Sequence, residues 1–415
     1  MKRALAAVLA LFVLGLGAAA GYVLYRKHQG RNIRGSSSVE FVTTQEPTRK
    51  RTPLELRQVP WPMYGLDEAR TRFADGVHFR PPFRRLWTAG GTSLLEFPPA
   101  VGYGRLFLSN NSGSLFALGA RNGGRAWVYK THRCTAASPA LDRGTVFASF
   151  MNRGECNQTK PGLDGLVAAL SVGQGRVRWT KRIGPTESSP LVANGRVYVG
   201  DWRGKVYALD ERTGRIVWSY QTGGKVKAGV ALSGGRIFVG SYDGHVYALR
   251  ESDGKLVWRA SAQPRLGSLG TFYSTPAVAY GRVYLGATDG KVYSFGATSG
   301  QLRWSHGTGG YVYSSPAVWN RRVYAGSYDH HLYCFDAATG DVRWRFDANG
   351  PISGSPTVID GIVYFATLAG RTYGLNALTG RQVWTFPDGK YSPIVADTRR
   401  LYLVGYARVY GMVPR

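Results

Sequence analysis

Tryptophan recurs along this chain at a nearly constant interval, and that interval constrains the fold more than any other feature. Successive positions are 40, 52, 39, 40, 46, 40 and 40 residues apart. The eight positions are Trp87, Trp127, Trp179, Trp218, Trp258, Trp304, Trp344 and Trp384. A period of about 40 residues is typical of β-propeller blades. The strict register indicates that these side chains pack between blades.

Each unit repeats one order of short strands and tight turns. Residues 188–218 (SSPLVANGRVYVGDWRGKVYALDERTGRIVW) contain four runs with alternating apolar residues, separated by turns at Asn194-Gly195, Gly204 and Thr213-Gly214. Such runs predict four strands joined by hairpins. Twelve extra residues lie between the second and third runs of the second unit. Each unit is therefore one blade, and blade two has an enlarged loop.

The two ends of the chain predict how the ring closes. The last unit stops at Arg415 after three strands, whereas Trp87 lies in a strand (RRLWTAG, 84–90) that precedes the first complete blade. If this N-terminal strand completes the last blade, both sheet edges are paired. The sequence therefore predicts an all-β fold, an eight-bladed β-propeller of four-stranded antiparallel blades closed by an N-terminal strand.

The N-terminal residues predict a membrane anchor and a linker. The segment from Ala4 to Tyr25 contains no charged residue and is long enough to span a bilayer. Residues 1–25 are therefore expected to form a signal-anchor or transmembrane helix. A cleavable signal peptide is the alternative, since Ala18 to Ala20 offer a cleavage site. Basic residues flank both ends and leave the orientation open. Residues 26–60 are polar and basic and predict a disordered tether to a propeller over 61–415.

The chain is strongly basic, with 53 Lys and Arg against 25 Asp and Glu and a net charge of +28. This charge favours attraction to a polyanion such as lipid headgroups or an acidic envelope polymer. A solvated basic surface is the alternative interpretation, because net charge alone reports on solubility and non-specific association. Specific nucleic-acid binding is not expected, since the sequence contains no motif of a nucleic-acid-binding fold.

Three segments carry a family resemblance: ALDERTGRIVW (208–218), CFDAATGDVRW (334–344) and GLNALTGRQVW (374–384). They resemble the A-L-D-x-x-T-G-x-x-x-W pattern of quinoprotein-type (PQQ-like) β-propeller repeats. The stretch WPMYGLDEARTRF (61–73) is similar to the one that often precedes the first blade in this family. The resemblance covers roughly residues 61–415 and implies the fold. It leaves the function open, because this propeller carries both enzymes and scaffolds.

Two branches of the family imply different functions. The alcohol and glucose-type quinoprotein dehydrogenases imply pyrroloquinoline quinone (PQQ) in the central funnel, a calcium ion, an Asp base and often a disulfide between adjacent cysteines. This chain has no Cys-Cys pair and no evident Glu/Asn/Asp set. BamB-like propellers are non-catalytic and present a face to partner proteins, although an anchor helix here replaces their lipidation cysteine. The expectation is no cofactor, with PQQ and calcium only under the dehydrogenase alternative.

Two cysteines predict a disulfide in blade two. Cys134 lies just before the first strand of that blade, and Cys156 lies in its twelve-residue insertion. Both connections emerge at the same face of a propeller, so the two sulfur atoms can meet. The bridge would form in an oxidising compartment, and two free thiols in a reducing cytoplasm are the alternative. The sequence therefore predicts a bridge that holds the long loop on an extracytoplasmic propeller.

The same face is predicted to be rich in aromatic and basic side chains. Such a surface can bind an anionic or sugar-like ligand, or a partner, by charge and ring stacking. A solvated rim is the alternative, since single exposed rings and charges are ordinary. The candidate residues are His132, Arg133, Trp202, Arg203, Lys225, Lys227, Tyr242, Tyr273, Tyr311, Tyr313, Tyr328, His330, His331, Lys390 and Tyr391.

One hairpin contains several residue types that bind metals. Residues 327–344 include Asp329, His330, His331, Cys334 and Asp336. The blade register favours an ordinary turn, because His330 takes the slot that Gly occupies in six other blades, where a left-handed conformation is expected. Cys334 aligns with small residues and is expected to be buried. The sequence therefore predicts no metal site, and it assigns no catalytic residues, since it has no triad, P-loop or zinc motif.

These observations favour a membrane-tethered, extracytoplasmic propeller that acts as a non-catalytic binding or assembly scaffold. The expected partners are the membrane, through the N-terminal helix, and envelope proteins or an acidic polymer. The propeller is expected to be monomeric and anchored by a single span in the cell membrane, or secreted if the N-terminal segment is cleaved. A PQQ-dependent dehydrogenase-like enzyme that binds a quinone or sugar-like ligand in the funnel is the alternative.

Overall fold

A computed structural model gives the fold for residues 2–44, 52–154, 156, 162–391 and 394–415. Within these residues the chain forms two helices, α1 (Lys2–Gln29) and α2 (Pro53–Gln58), followed by 33 strands. The strands form eight sheets that surround a common axis. The eight-bladed propeller predicted from the tryptophan interval is confirmed.

Two short strands precede the first blade. They are β1 (Phe73–Ala74) and β2 (Phe83–Gly90). Blades 1 and 2 contain β3 (Ala100–Gly102), β4 (Arg105–Asn110), β5 (Ser114–Gly119), β6 (Arg125–Lys130), β7 (Ala140–Asp142), β8 (Thr145–Phe150), β9 (Gly165–Ser171) and β10 (Val177–Ile183). Blades 3 and 4 contain β11 (Leu191–Ala193), β12 (Arg196–Gly200), β13 (Lys205–Asp210), β14 (Ile216–Gln221), β15 (Ala231–Ser233), β16 (Arg236–Gly240), β17 (His245–Arg250) and β18 (Leu256–Ser261).

The second half of the ring repeats this plan. Blades 5 and 6 contain β19 (Ala277–Ala279), β20 (Arg282–Gly286), β21 (Lys291–Gly296), β22 (Leu302–Gly307), β23 (Ala317–Trp319), β24 (Arg322–Gly326), β25 (His331–Asp336) and β26 (Val342–Asp347). Blades 7 and 8 contain β27 (Thr357–Ile359), β28 (Ile362–Thr367), β29 (Arg371–Asn376), β30 (Gln382–Phe386), β31 (Val395–Ala396), β32 (Leu401–Val404) and β33 (Arg408–Pro414).

The ring is closed by strand β2. This strand pairs antiparallel with β33, from Phe83 opposite Pro414 to Gly90 opposite Arg408. Blade 8 therefore has the strand order β2-β33-β32-β31, with its outermost strand supplied by the N-terminal part of the chain. The closure predicted from Trp87 is confirmed. Ser392 and Pro393, just before the first strand of this blade, lie outside the described residues.

Seven of the tryptophans join neighbouring blades in the same way. The indole N–H of each donates a hydrogen bond of 2.9 to 3.3 Å to a backbone carbonyl of the next blade. Its ring covers a turn glycine of that blade, where a Cβ would lie within 2.8 Å of the ring. The acceptors are Ala120, Val172, Glu211, Glu251, Ala297, Ala337 and Ala377.

Trp384 makes a different contact because of the closure. Its neighbour, blade 8, has no turn between its two outer strands, since β2 comes from another part of the chain. The Trp384 ring instead packs edge-on against Phe83 of β2, with ring centroids 5.4 Å apart. An edge-to-face contact between two aromatic rings thus replaces the indole-to-carbonyl hydrogen bond at this interface.

The segment before the first blade fills the centre of the ring. We call residues 61–72 the axle, because its backbone hydrogen-bonds to the innermost strand region of six blades, namely blades 1, 2 and 4 to 7. The partners are Val101, Leu141, Leu232, Val278, Val318 and Val358. Strand β1 continues from the axle and pairs in parallel with β27 of blade 7. The sequence placed this stretch before the first blade but did not predict that it crosses the axis.

Arg70 connects the axle to the remaining inner wall. Its side chain is fully buried, and the guanidinium donates hydrogen bonds to the carbonyls of Val230, Ser189 and Pro190, as well as to Tyr64. Burial, with the nearby charge of Arg72, lowers the pKa of Arg70 to about 9. The axle therefore also contacts blade 3, through a side chain rather than through its backbone.

Part of the segment predicted to be a disordered tether is ordered in the structure. Residues 30–42, which we call the strap, lie along the outer strand β22 of blade 5 and reach blade 6. Ile33 pairs antiparallel with Ser305, and Arg34 forms an ion pair with Asp341. Residues 53–58 form α2, whereas residues 45–51 lie outside the described part of the chain. Amino-acid composition did not predict that the strap is ordered, because its order depends on hydrogen bonds to propeller residues far along the chain.

The far end of the strap is held by a cluster of polar groups around one buried arginine. Arg282 is fully buried and donates hydrogen bonds to the carbonyls of Ser36, Val39 and Glu40. The Glu40 carboxylate accepts hydrogen bonds from Ser299. Burial raises the pKa of Glu40, but the bonds from Ser299 and from an arginine of β22 outweigh it and bring this pKa to about 2. The cluster therefore stays ionised and intact at neutral pH.

The axle generates a stability prediction. Arg70→Met should lower the free energy of unfolding by about 3 kcal/mol, because buried carbonyl oxygens lose their charged donor. Arg381→Met, at an exposed turn position, is the matched control and should change it by less than about 0.5 kcal/mol. Chemical denaturation followed by tryptophan fluorescence measures both. Equal, small effects of the two substitutions would contradict the role of the axle.

Candidate binding site at the propeller mouth

One face of the ring carries the loops between blades and the turns between the second and third strands of each blade. We call it the mouth face. A proline precedes the inner strand in every blade except blade 4, where Val230 takes its place, and the residue three positions before it points to the funnel in most blades. The eight residues at this position are Glu96, Ala136, Glu187, Lys227, Tyr273, Tyr313, Ser353 and Lys390. Six of them line one central cavity, namely Glu96, Glu187, Lys227, Tyr273, Tyr313 and Ser353.

A belt of hydroxyl groups lies beneath this ring of side chains. In four blade pairs, a backbone N–H of one blade donates to a Ser or Thr hydroxyl of the next, at 2.9 to 3.0 Å. The acceptors are Ser189, Thr275, Ser315 and Ser355. Tyr64 of the axle forms the floor, and its hydroxyl is 2.7 Å from that of Ser355. The polar groups of the funnel wall are thus largely engaged with each other.

A buried ion pair lies on one side of the funnel. Lys227 Nζ is 3.3 Å from Glu187 Oε1, and both side chains are mostly buried. The same ammonium group lies over the Trp202 ring, 4.3 Å from its centroid, and also faces Tyr242 and Tyr273. Cation–π contacts gain strength when they are shielded from water. The lysine is therefore held by an aromatic cage and a carboxylate of its own chain.

The two funnel carboxyl groups are biased toward the protonated form. Burial raises the pKa of Glu187, although Lys227 opposes this effect. Burial also raises the pKa of Glu96, and the charge of Glu187 raises it further. Burial and the same carboxylate raise the pKa of Tyr273 well above its ordinary value, so this phenol remains a hydrogen-bond donor. The funnel can therefore donate and accept hydrogen bonds but carries little net charge.

Tyrosines form a continuous arc along the mouth over blades 4 to 6. Tyr273 and Tyr313 have ring centroids 5.0 Å apart, and Tyr313 and Tyr328 are 5.1 Å apart. Tyr242 extends the arc at one end and Tyr311 at the other, where its side chain is 53% exposed. Edge-on ring pairs of this kind stabilise one another and remain available for further stacking. The predicted aromatic mouth thus has a defined order of rings.

Two basic candidates serve the enlarged loop of blade 2 instead of the funnel. Arg133 is buried and forms an ion pair with Asp164 at 3.1 Å. Arg203 donates a hydrogen bond of 2.8 Å to the carbonyl of Leu163. The predicted disulfide between Cys134 and Cys156 is present and fixes the same loop, with Cα atoms 5.5 Å apart.

The remaining candidates lie toward the rim. His132 is exposed, Lys225 lies 5.1 Å from the Trp202 centroid, and Lys390 contacts the rings of Tyr391 and Tyr406. Tyr391 also lines the central cavity.

The two histidines of blade 6 belong to its hairpin and not to the funnel. His330 is exposed and adopts a φ of 74°, the left-handed conformation that its slot in the repeat predicts. His331 pairs with Asp347 of the outer strand and lies near Asp329. Cys334 is fully buried. In the part of the chain that the structure describes, no three His, Cys, Asp or Glu residues are arranged to hold a metal ion.

Sequence reasoning missed the acidic residues and the floor of the funnel. Glu96, Glu187 and Tyr64 line the cavity but were not among the candidates. A signal for the first two existed, because each lies three residues before a strand-opening proline, at the same register position as Lys227 and Tyr273. For Tyr64 the sequence contained no comparable signal, since the axle does not belong to the repeat.

The sequence matches one known protein family over most of the propeller. Residues 84–199, 163–311 and 290–410 match the family described as outer membrane protein assembly factor BamB. Together these matches cover most of the propeller and well over half of the chain. The chain belongs to the BamB family.

Curated relatives include both branches of the propeller. BamB of Salmonella typhimurium is 28% identical over 182 residues, which cover 33% of this chain and 46% of that protein. The quinohemoprotein alcohol dehydrogenase of Comamonas testosteroni is 31% identical over 172 residues, which cover 40% of this chain and 19% of the dehydrogenase. The chain thus spans less than half the length of these relatives.

Solved structures agree on the fold. BamB from Moraxella catarrhalis superposes with a TM-score of 0.65 at 19% identity, covering 80% of this chain and 98% of that one. The quinohemoprotein alcohol dehydrogenase of Comamonas testosteroni gives a TM-score of 0.70 at 14% identity, covering 85% of this chain and 80% of that one. At these low identities, the superpositions establish a shared fold and carry no argument about the function of this BamB family member.

The funnel residues do not fit pyrroloquinoline quinone, the cofactor implied by the dehydrogenase branch. The enclosed space above Tyr64 is about 50 Å³, whereas ligand pockets usually measure roughly 300–1,000 Å³. The cofactor carries three carboxylates, and the lysine that lines this cavity, Lys227, is already paired with Glu187. The cavity of this BamB family member is therefore too small for the cofactor, and its charged groups pair with each other.

The funnel carboxyl groups generate a pH prediction. Because the pKa of Glu96 is raised in the folded state, the unfolded chain loses this proton first, and stability falls as pH rises above the ordinary value near 4.5. Glu96→Gln removes this effect, so the variant should match the parent near pH 4 and be more stable at pH 8. Urea denaturation at both pH values measures it.

A surface carboxylate provides the opposite control. A hydrogen bond from Thr213 lowers the pKa of Asp210, which therefore stabilises the fold above its ordinary pKa. Asp210→Asn should be less stable than the parent at pH 8. If Glu96→Gln were also less stable than the parent at pH 8, the assignment of Glu96 would be refuted.

Proposed function

We propose that this protein is a membrane-tethered, extracytoplasmic BamB-like propeller that acts as a non-catalytic binding and assembly scaffold. One observation carries the proposal. The funnel is closed by Tyr64 and filled by its own side chains, whereas the rim of the mouth face exposes aromatic and cationic groups. A partner would therefore bind across the face and not inside the funnel.

Two features support the tethered, extracytoplasmic part of the proposal. Residues Val8–Gln29 form an exposed apolar helix of 22 residues, which is long and apolar enough to cross a membrane. The disulfide of blade 2 is expected in an oxidising compartment. A helix near an N-terminus also suits a cleaved signal, and mass analysis of the N-terminus of the purified protein distinguishes a single-span anchor from a secreted form.

The rim suits a protein partner. Tyr406 is 50% exposed beside Lys390, and Lys225 lies near Trp202 on the far side of the funnel. Interfaces between proteins are enriched in aromatic side chains such as that of Tyr406. The relatives named as outer membrane protein assembly factors favour proteins of envelope assembly as partners. An anionic envelope polymer is the other ligand that the basic rim would bind.

Site-specific photocrosslinking tests the proposal. A benzophenone side chain placed at His132 or Tyr406, on the mouth face, should give discrete protein adducts in native membranes. The same group at Leu378, an exposed turn residue of the opposite face, is the matched control and should give none. Adducts that form only from Leu378, or equally from all positions, would contradict binding through the mouth. Adducts that contain no second protein and that disappear at high salt would indicate that the mouth face binds an acidic polymer.

The dehydrogenase alternative has its own test, motivated by the identity with the Comamonas testosteroni enzyme. Purified protein is incubated with PQQ and calcium, passed through a desalting column, and assayed for cofactor absorbance and alcohol-dependent dye reduction. Because the funnel is small and its lysine is already paired, no absorbance should be retained. Retained cofactor with turnover would overturn the scaffold proposal.

A further inference from the structure

The structure places the end of the N-terminal helix directly against the mouth face. Helix α1 ends at Gln29, and a Cβ on Gly30 would lie 3.1 Å from the Cα of Arg265. Lys291 Nζ donates hydrogen bonds to the carbonyls of Arg31 and Gln263, at 3.1 and 2.9 Å. The strap then fixes the following residues along β22. No free linker therefore separates the helix from the propeller.

The loop that receives the helix end also carries the most exposed apolar side chain outside α1 among the described residues. We call residues 262–270 the apolar loop. Leu269 is 84% exposed and Leu266 is 49% exposed, and between them lie only Gly267 and Ser268. Exposed leucines of this kind in a tight loop are costly in water and often mark an interaction site.

We propose that the apolar loop inserts into the headgroup region of the same bilayer that α1 spans, so that blades 4 to 6 of the mouth face rest on the lipid surface. This inference relies on the proposed membrane tether and extends it with a second contact. Leu269 is four positions after Arg265, which contacts the helix end, so the tip lies within about 14 Å of Arg265.

Charge and geometry favour lipid as the occupant. Residues 26–31 contain Arg26, Lys27 and Arg31 and no acidic residue, and Arg265 adds a further cation beside them. Basic residues next to a membrane span attract anionic headgroups. An apolar tip flanked by cations matches the composition of segments that lie in the membrane interface. A protein partner would need to share this position with the headgroups around α1.

The placement divides the mouth face into two sectors. Tyr311, the exposed end of the tyrosine arc, lies over a groove of about 530 Å³ next to the apolar loop and would face the headgroups. Tyr406 and His132 lie on blades 8 and 1 to 2, on the other side of the funnel. This second sector would remain accessible to a partner in the aqueous phase.

Environment-sensitive labels test the inference in the full chain. Cys334 is buried and the other two cysteines are paired, so an introduced cysteine is the accessible thiol. The variants Leu269→Cys, Leu378→Cys and Leu14→Cys carry the fluorophore NBD in vesicles of phosphatidylethanolamine and phosphatidylglycerol with a doxyl lipid. The label at 269 should shift to the blue and be quenched roughly twofold, as expected for an interfacial depth. The label at 378 should stay unchanged.

The remaining variants separate the possible failures. Quenching at position 14 reports the membrane span itself, so its absence would refute the tether. Quenching at 14 without quenching at 269 would overturn the apolar loop contact and leave the tether intact. Glu40→Ala weakens the strap and should reduce quenching at 269 while leaving that at 14 unchanged. If Glu40→Ala had no effect at 269, the strap would not determine the contact.

Discussion

The hydrogen bonds between the axle and the inner strands are the constraint on which the rest of this propeller depends. Each blade has only a short innermost strand of two or three residues, whose outer side pairs with its own blade. The axle satisfies backbone groups on the inner side of six blades and reaches a seventh through Arg70. Buried backbone groups that lack partners are costly, so a ring of this size requires such a filled centre.

The filled centre also determines what kind of site the mouth provides. Tyr64 closes the funnel from below, and the belt of hydroxyl groups joins one blade to the next at the same depth. Lys227 then occupies the aromatic cage that would otherwise receive a ligand cation. The interior of the funnel is therefore structural, and the proposed recognition falls to the rim, where Tyr311 and Tyr406 remain about half exposed.

Sequence reasoning succeeded where the repeat determines the structure and failed where single segments do. The tryptophan interval predicted eight blades, the closing strand and the enlarged loop, because each depends on a pattern that recurs many times. Glu96 and Glu187 occupy the same register position as Lys227 and Tyr273, so the repeat contained a signal for them as well. The axle and the strap do not repeat, and their partners are backbone groups far along the chain. Composition could not reveal them, since Arg282 and Ile33 look unremarkable in isolation.

The positions of the N-terminal segments have a consequence for how the protein folds after synthesis. The strap needs blades 5 and 6, the axle needs the inner strands up to blade 7, and β2 needs β33 at the end of the chain. Segments that are made first thus pair with partners that are made much later, and the paired strands β2 and β33 lie more than 300 residues apart in the sequence. Contacts of such high sequence separation form slowly. Strand β2 must therefore remain unpaired, and free of wrong pairings, until β33 has been synthesised.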